Sequence, residues 1–521
     1  MADEKEVAVA KDVRASMDRL LEIGKDIKTW SGIGALLGWD QETYMPEKAV
    51  DERSRQQAAL SSLVHEKMTS GEIGELLEDL GADDDNPMGD ESRCADLSRT
   101  ERAFIRYVHR SYRKETRLPG RLVKELSETR SKSQSVWAKA RQENDFKSFQ
   151  PWLEKLIDLK LETAEAYGYD DNPYDPLLDD YEPDMKTSEV QRVFSDLKAD
   201  LVPLVKAIAE SKQVDNSFLT KHYPAKLQEE FGYKVLEKLN YPMDRGRLDV
   251  TAHPFTTELG SDDIRITTRY MEDFFNSSLY SIIHEAGHGL YELGMGDDIR
   301  GNLLAGGTSL GIHESQSRTW ENLVGRSREF WEYFLPSLKS MFPENLDGVD
   351  VEAMWRGVNK VEPSFIRVEA DEVTYSLHVM LRFELEQKLI NRKLAVKDLP
   401  EAWNEGMREL LGIVPERDSD GVLQDVHWSF GLFGYFPTYA LGNLYGSQFW
   451  NTMVKDIPDV YTQMASGDFT RILAWLREHI HQYGSSKTAG ELAMDITGEP
   501  LNARYFVDYL NSKYKTVYKL D

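Results

Sequence analysis

The chain has 521 residues, 40% of them hydrophobic and 11% aromatic, a globular composition with room for a large core. Its 90 acidic residues against 63 basic ones leave a formal charge of -27, which sets it against a phosphate backbone, so no nucleic-acid partner is expected. One cysteine, Cys94, excludes an intramolecular disulfide, and no run of about 18 apolar residues offers a membrane span.

From the start, MADEKEVAVAKDVRASMDRLL mixes charges throughout and holds no apolar signal core, so a cytoplasmic protein without membrane contact is expected. Apolar residues recurring at three and four predict helices over about 10–44, 51–80, 94–115, 118–168 and 188–212. The acidic, glycine-containing stretch 81–92 reads as a loop, and so does 170–186, dense in Asp, Pro and Tyr. Apolar and aromatic residues within the second loop predict that it packs on the body. Between about 248 and 270 the runs shorten, and DDIRITTRY alternates as a strand does, which predicts a small sheet. Helices resume over 309–342, 370–413 and 435–518 with breaks. The expected fold class is mainly α, and no internal repeat is present.

The helical run NSSLYSIIHEAGHGLYELG follows the expected sheet and carries His284-Glu285-Ala286-Gly287-His288. Histidines four apart lie on one helix face about 6 Å along the axis, so both imidazoles can reach one divalent ion. Glu285 lies beside them, placed to take a proton from water at the metal. Random order would produce H-E-x-x-H in roughly two such chains per hundred. Flanking Ile282, Ile283, Leu290, Tyr291 and Leu293 bury the helix, where two histidines without a ligand or partners are costly.

A catalytic zinc takes three protein ligands and leaves one position for water. Glu314, in GTSLGIHESQSRTWENLVGRS, falls near the start of the next helix and is the favoured third ligand. Glu292, one turn past His288, and the loop residues Asp297 and Asp298 compete with it. A second helix holds a ligand more rigidly than a loop does, and Glu292 lies further along the axis than one ion easily spans. The alternative for Glu314 is a solvated carboxylate at a helix start.

Several runs in order resemble the carboxypeptidase Taq-type metallocarboxypeptidases: HPF (253–255), DIRITTR (263–269), HEAGH, HESQSR (313–318), IRVEADEVTYSLH (366–378), and GVLQDVHW followed by GYFPTYALGNLYGSQ (421–448). The run NPYDPLLDDYEPDM (172–185) extends the likeness into the first half. The charged stretch 415–420 departs from the pattern. The resemblance implies a metal-dependent carboxypeptidase that releases single residues from the C-terminus of peptides. It also places the metal glutamate at Glu314 and implies a single helical domain over 1–521, with a helical half to about 245 and a metal-site half after it. A deep groove with a small sheet at its wall, and a homodimer, come from the resemblance alone. Zinc is the expected ion, and cobalt or manganese suit similar ligands.

A carboxypeptidase needs a cation for the substrate's free terminus, and the planar fork of arginine suits that anion. Arg367, between an extended apolar run and an acidic helix start, is the leading candidate. Its alternative is an ion pair with Glu369, Asp371 or Glu372. Arg265 is the second candidate, although bracing the sheet through Asp263 suits it better. His253, His427, Tyr435 and Tyr439 are candidate donors to the developing oxyanion. His313 is expected to orient the metal carboxylate or a neighbouring helix, and His378 to be a core histidine. Two other functions are weighed: a helical oligopeptidase cutting internal bonds, and a peptide-binding protein with a structural metal.

Overall fold

The computed structural model describes residues 2–520, with side chains described from Val13 onward. Helices dominate, as the periodicity predicts. In chain order the first are α1 (Ala2–Thr43), α2 (Val50–Met68), α3 (Gly71–Asp79) and α4 (Arg99–Arg117). The single pattern read over 51–80 is two helices, because Ser70 opens a new one: its hydroxyl accepts from the Ile73 amide and so caps α3. The loop 81–92 stands as expected and turns on Gly81 and Gly89, both with positive φ.

Next come α5 (Gly120–Glu143), α6 (Phe146–Tyr167), the single turn α7 (Asp175–Leu178), α8 (Thr187–Glu210) and α9 (Ala225–Lys238). The pattern read over 118–168 breaks between α5 and α6, where Asn144 adopts a left-handed conformation and Asp145 caps the following helix. Leu122 and Leu126 of α5 then pack with Leu159 of α6. The stretch 170–186 is buried at Pro176, Leu177, Leu178, Glu182 and Met185, so it packs as its composition predicts. Helix α9 lies outside the ranges that the periodicity predicts, although it buries Phe231, Val235 and Leu236 at helical spacing.

The sheet consists of β1 (Gly246–Val250), β2 (Thr256–Gly260) and β3 (Asp263–Thr268), in the order β1-β3-β2. β1 runs parallel to β3, and β2 runs antiparallel to it with Thr256 opposite Ile266. The metal-motif run follows as α10 (Phe275–Leu293). Gly289 lets α10 settle on this region: a Cβ there would stand 2.8 Å from the Tyr241 ring, whose hydroxyl donates to the Ile264 carbonyl.

After it come α11 (Leu310–Arg318), a π-helical turn over Thr319–Gly325, α12 (Arg328–Met341), α13 (Val351–Val358), α14 (Tyr375–Ile390) and α15 (Leu399–Leu411). The chain continues through α16 (Pro437–Asp456), α17 (Val460–Ala465), α18 (Thr470–His479), α19 (Ala489–Thr497) and α20 (Arg504–Tyr518). The departing stretch 415–420 ends in a tight turn over Asp418–Asp420, where the Ser419 amide donates to Asn144.

Two compact units divide the chain, and neither is continuous. The first comprises Met1–Arg117, His222–Thr308 and Gly467–Leu492, and holds the sheet and α10. The second comprises Leu118–Lys221, Ser309–Ser466 and Ala493–Asp521, and holds α11, α14 and α16. In the second unit α14 is buried on nearly every side, so the ionisable groups it carries must find partners inside the protein.

Candidate metal centre and substrate groups

In the first unit, α10 presents His284 and His288 on one face, with ring centroids 4.9 Å apart and planes at 83°. The i, i+4 spacing causes this: one helical turn stacks the two side chains without letting the rings lie flat on each other. Glu285 is buried, 7% exposed. The Thr256 hydroxyl of β2 stands 2.7 Å from Glu285 Oε2 and 2.9 Å from its backbone oxygen. The edge strand thus fixes the carboxylate that the sequence marks as a base. Two imidazole nitrogens on one helix face are donors that suit a borderline divalent ion, and the Glu285 carboxylate beside them is turned to Thr256.

In the second unit, Glu314 sits in the middle of the nine-residue α11 and is likewise buried. Arg318, one turn on, donates from Nε to Glu314 Oε1 at 2.7 Å, and Ser317 Oγ lies 3.3 Å from Oε2. Arg318 also pairs with Glu321 at 3.1 Å and covers the Tyr375 ring at 4.4 Å. Helix α16 approaches closely here because it carries glycine: a Cβ on Gly442 would stand 2.5 Å from Glu314 Cγ.

The same unit gathers Arg367, His427, Tyr435 and Tyr439 into one cluster. Arg367 is 4% exposed, and its Nη2 and Nε lie 2.9 and 3.1 Å from Asp425 Oδ1. It stands over the Tyr439 ring at 4.7 Å and donates to the Tyr375 hydroxyl at 3.1 Å. None of the three anticipated acids is its partner. Glu369 is exposed, Asp371 caps the turn at Thr374, and Glu372 is held by Tyr509, Lys513 and Tyr514. Arg382 of α14 shares Asp425, donating from Nε to Oδ2 at 2.6 Å.

Burial alone would raise the Asp425 carboxyl, but the Arg382 and Arg367 guanidiniums outweigh it and hold it well below the usual range. Burial pushes His427 down to about 4 and His378 down to about 3, with the same arginines adding to the effect. Both imidazoles are therefore neutral at pH 7. His427 Nε2 lies 3.3 Å from the Tyr439 hydroxyl, and Tyr435 and Tyr439 stack edge to face at 5.3 Å. His378 is fully buried, with the Ser364 backbone as its polar neighbour, so it is a core histidine.

The remaining candidates sit apart from this cluster in the chain. His253 is exposed on the β1–β2 loop of the first unit. Arg265 is committed within its own unit, bidentate to Asp263 at 2.8 Å and over the Trp39 ring at 4.2 Å. Glu292 is half-buried on α10, Asp297 is fully exposed, and Asp298 accepts from Thr100. His313 is half-buried, one residue before Glu314. Sequence reasoning missed Asp425, Arg382 and Thr256. Asp425 stands inside the GVLQDVHW run and Arg382 one helical turn after His378, so both signals were present without their partners.

Residues 19–514 match the carboxypeptidase Taq (M32) metallopeptidase family. The thermostable carboxypeptidase 1 of Thermus thermophilus is 42% identical over 516 residues, covering 97% of this chain and 99% of that protein. Carboxypeptidase 1 of Bacillus subtilis is 37% identical, covering 95% and 97%. The crystal structure of an M32 carboxypeptidase from Deinococcus radiodurans R1 superposes with a TM-score of 0.93 at 40% identity, covering 97% of this chain and all of that one. No helix among the described residues is long and apolar enough to cross a membrane. With the motif helix, its buried glutamate and the whole-length likeness in agreement, the chain belongs to the carboxypeptidase Taq (M32) metallopeptidases and is a metal-dependent carboxypeptidase acting on peptides.

Proposed function

We propose that His284 and His288, through imidazole nitrogens, and Glu314, through its carboxylate, hold one divalent ion per chain, with zinc the preferred occupant and cobalt or manganese able to replace it. The ion supplies a Lewis acid that polarises the scissile carbonyl and makes water a better nucleophile at neutral pH. Glu285 takes the proton of the attacking water and passes it to the leaving amine. Its burial and the Thr256 hydrogen bond keep it in one position for both transfers. His427, Tyr435 and Tyr439, with His253 from the β1–β2 loop, are the candidate donors to the carbonyl oxygen as charge develops there.

The observation that carries the polarity of the enzyme is the charge of the Arg367 cluster. Two guanidiniums share one carboxylate, and both nearby histidines are neutral, so the cluster keeps a net positive charge in a buried setting. Such a site suits a terminal carboxylate. Arg265 is the weaker candidate because its one-to-one pairing with Asp263 leaves no surplus positive charge for an anion. We further infer a cytoplasmic homodimer in which residues 1–521 act as one metallocarboxypeptidase domain, with no nucleic-acid or membrane partner.

Arg367→Ala tests this reading. Losing a charge-assisted bidentate contact in a desolvated pocket is worth roughly 2 to 4 kcal/mol, or about 30-fold to 1000-fold in kcat/KM for peptides with a free C-terminus. Metal content stays at the parental value. The parent rejects a C-terminally amidated peptide strongly, and the variant loses most of that preference while cutting both poorly. A variant that still separates carboxylate from amide as the parent does moves the anion site elsewhere, with Arg265 next in line.

A further inference from the structure

We propose that Glu182, in the 172–185 run that the catalytic account leaves unused, is a positioning residue that sets where α11 presents Glu314. This rests on Glu314 being a metal ligand. Glu182 is fully buried in the second unit. Its Oε1 accepts from the Ser309 hydroxyl at 2.7 Å and its Oε2 from the Gly311 amide at 2.9 Å. The same Ser309 oxygen accepts from the Ile312 amide at 3.0 Å, and the Leu310 amide donates to the Tyr181 carbonyl at 3.0 Å. The amides of Leu310, Gly311 and Ile312, which α11 cannot satisfy itself, are thus all met through Ser309 and residues 181–182.

Such a grip has consequences because α11 is short. Glu314 lies one turn from the held end, so a small rotation there displaces its carboxylate by a comparable amount. Gly311 shows how tight the contact is: a Cβ would stand 2.6 Å from Glu182 Oε2. At the other end Arg318 holds Glu314 Oε1, and Gly442 leaves α16 close against its Cγ. Burial pushes Glu182 up to about 7 despite its two donors. An apolar side chain would fill the same space without that penalty, so the carboxylate is costly for packing alone.

The test uses the full-length enzyme with Glu182→Leu and Glu182→Gln, exposed to increasing EDTA, desalted and analysed for bound metal, all well below each unfolding midpoint. Groups that orient ligands commonly change metal affinity or activity by 10-fold to 100-fold. Glu182→Leu is expected to lose its metal at about tenfold lower EDTA and to lower kcat about tenfold or more, with KM within about threefold of the parent. Glu182→Gln restores both to within about threefold, because its amide oxygen can accept from Gly311 while its amide nitrogen donates to Ser309 Oγ. A cap that serves only folding lowers the unfolding midpoint and leaves the EDTA titration unmoved, which overturns the proposal. Where Glu182→Leu does not fold, Ser309→Ala removes one of the two contacts, and parental metal retention by that variant overturns it equally. Glu314→Ala runs alongside. If it keeps its metal, the ligand reading itself fails; if it loses metal while Glu182→Leu does not, only the role of Glu182 fails.

Discussion

Glu285→Gln is expected to keep about one metal ion per chain and to lose turnover by a factor on the order of 100 or more. The substitution is isosteric, and Glu285 is one residue from His284 on α10 but points to Thr256 of β2, so the imidazoles on the adjacent face stay where they are. The Thr256 hydroxyl can still donate to the amide oxygen. What disappears is the basic carboxylate, and with it both proton transfers. Metal analysis and steady-state kinetics on one preparation separate the outcomes. Lost metal would make Glu285 a ligand, and near-normal turnover would remove it from the mechanism.

Glu314→Ala lowers metal affinity by at least an order of magnitude, on the scale of groups that merely orient ligands, and takes activity with it. Glu292→Ala leaves the metal in place. The contrast follows from placement: Glu292 lies one turn, about 6 Å, beyond His288 along α10, whereas Glu314 is buried on a separate short helix. The fold should survive the first change, because Arg318 retains Glu321 as a partner. Metal content of the two variants, measured against the parent, decides the third ligand, and the opposite ranking overturns the assignment. The same analysis of the parent identifies the native ion, expected to be zinc.

What the sequence revealed was local. H-E-x-x-H needs only one turn of helix to bring its groups together, and DIRITT declares a strand through alternation over six residues. The breaks at Ser70 and Asn144 were also local, since a cap residue and an Asn-Asp pair stand there, but a continuous apolar period hid them. Long-range pairings were not legible. Arg367 meets Asp425 across 58 residues, beyond the acids adjacent to it in sequence. Nothing in the spacing of β1, β2 and β3 indicates that the last strand lies between the first two. Helix α14 shows a different limit. It is buried nearly all round, so its polar side chains carry no face to read, and Glu386 is satisfied by Tyr174, Trp428 and Gly434 from distant segments.

Digestion of one peptide in two forms, with a free and an amidated C-terminus, each with and without a chelator and read by mass, tests the account most directly. The expected result is a ladder of products from the free form, each shorter by one C-terminal residue, with the amidated form intact and all cleavage stopped by the chelator. Internal cleavage of the amidated peptide would contradict it and point to an oligopeptidase, and cleavage that persists after the metal has been removed would contradict the metal-dependent mechanism itself.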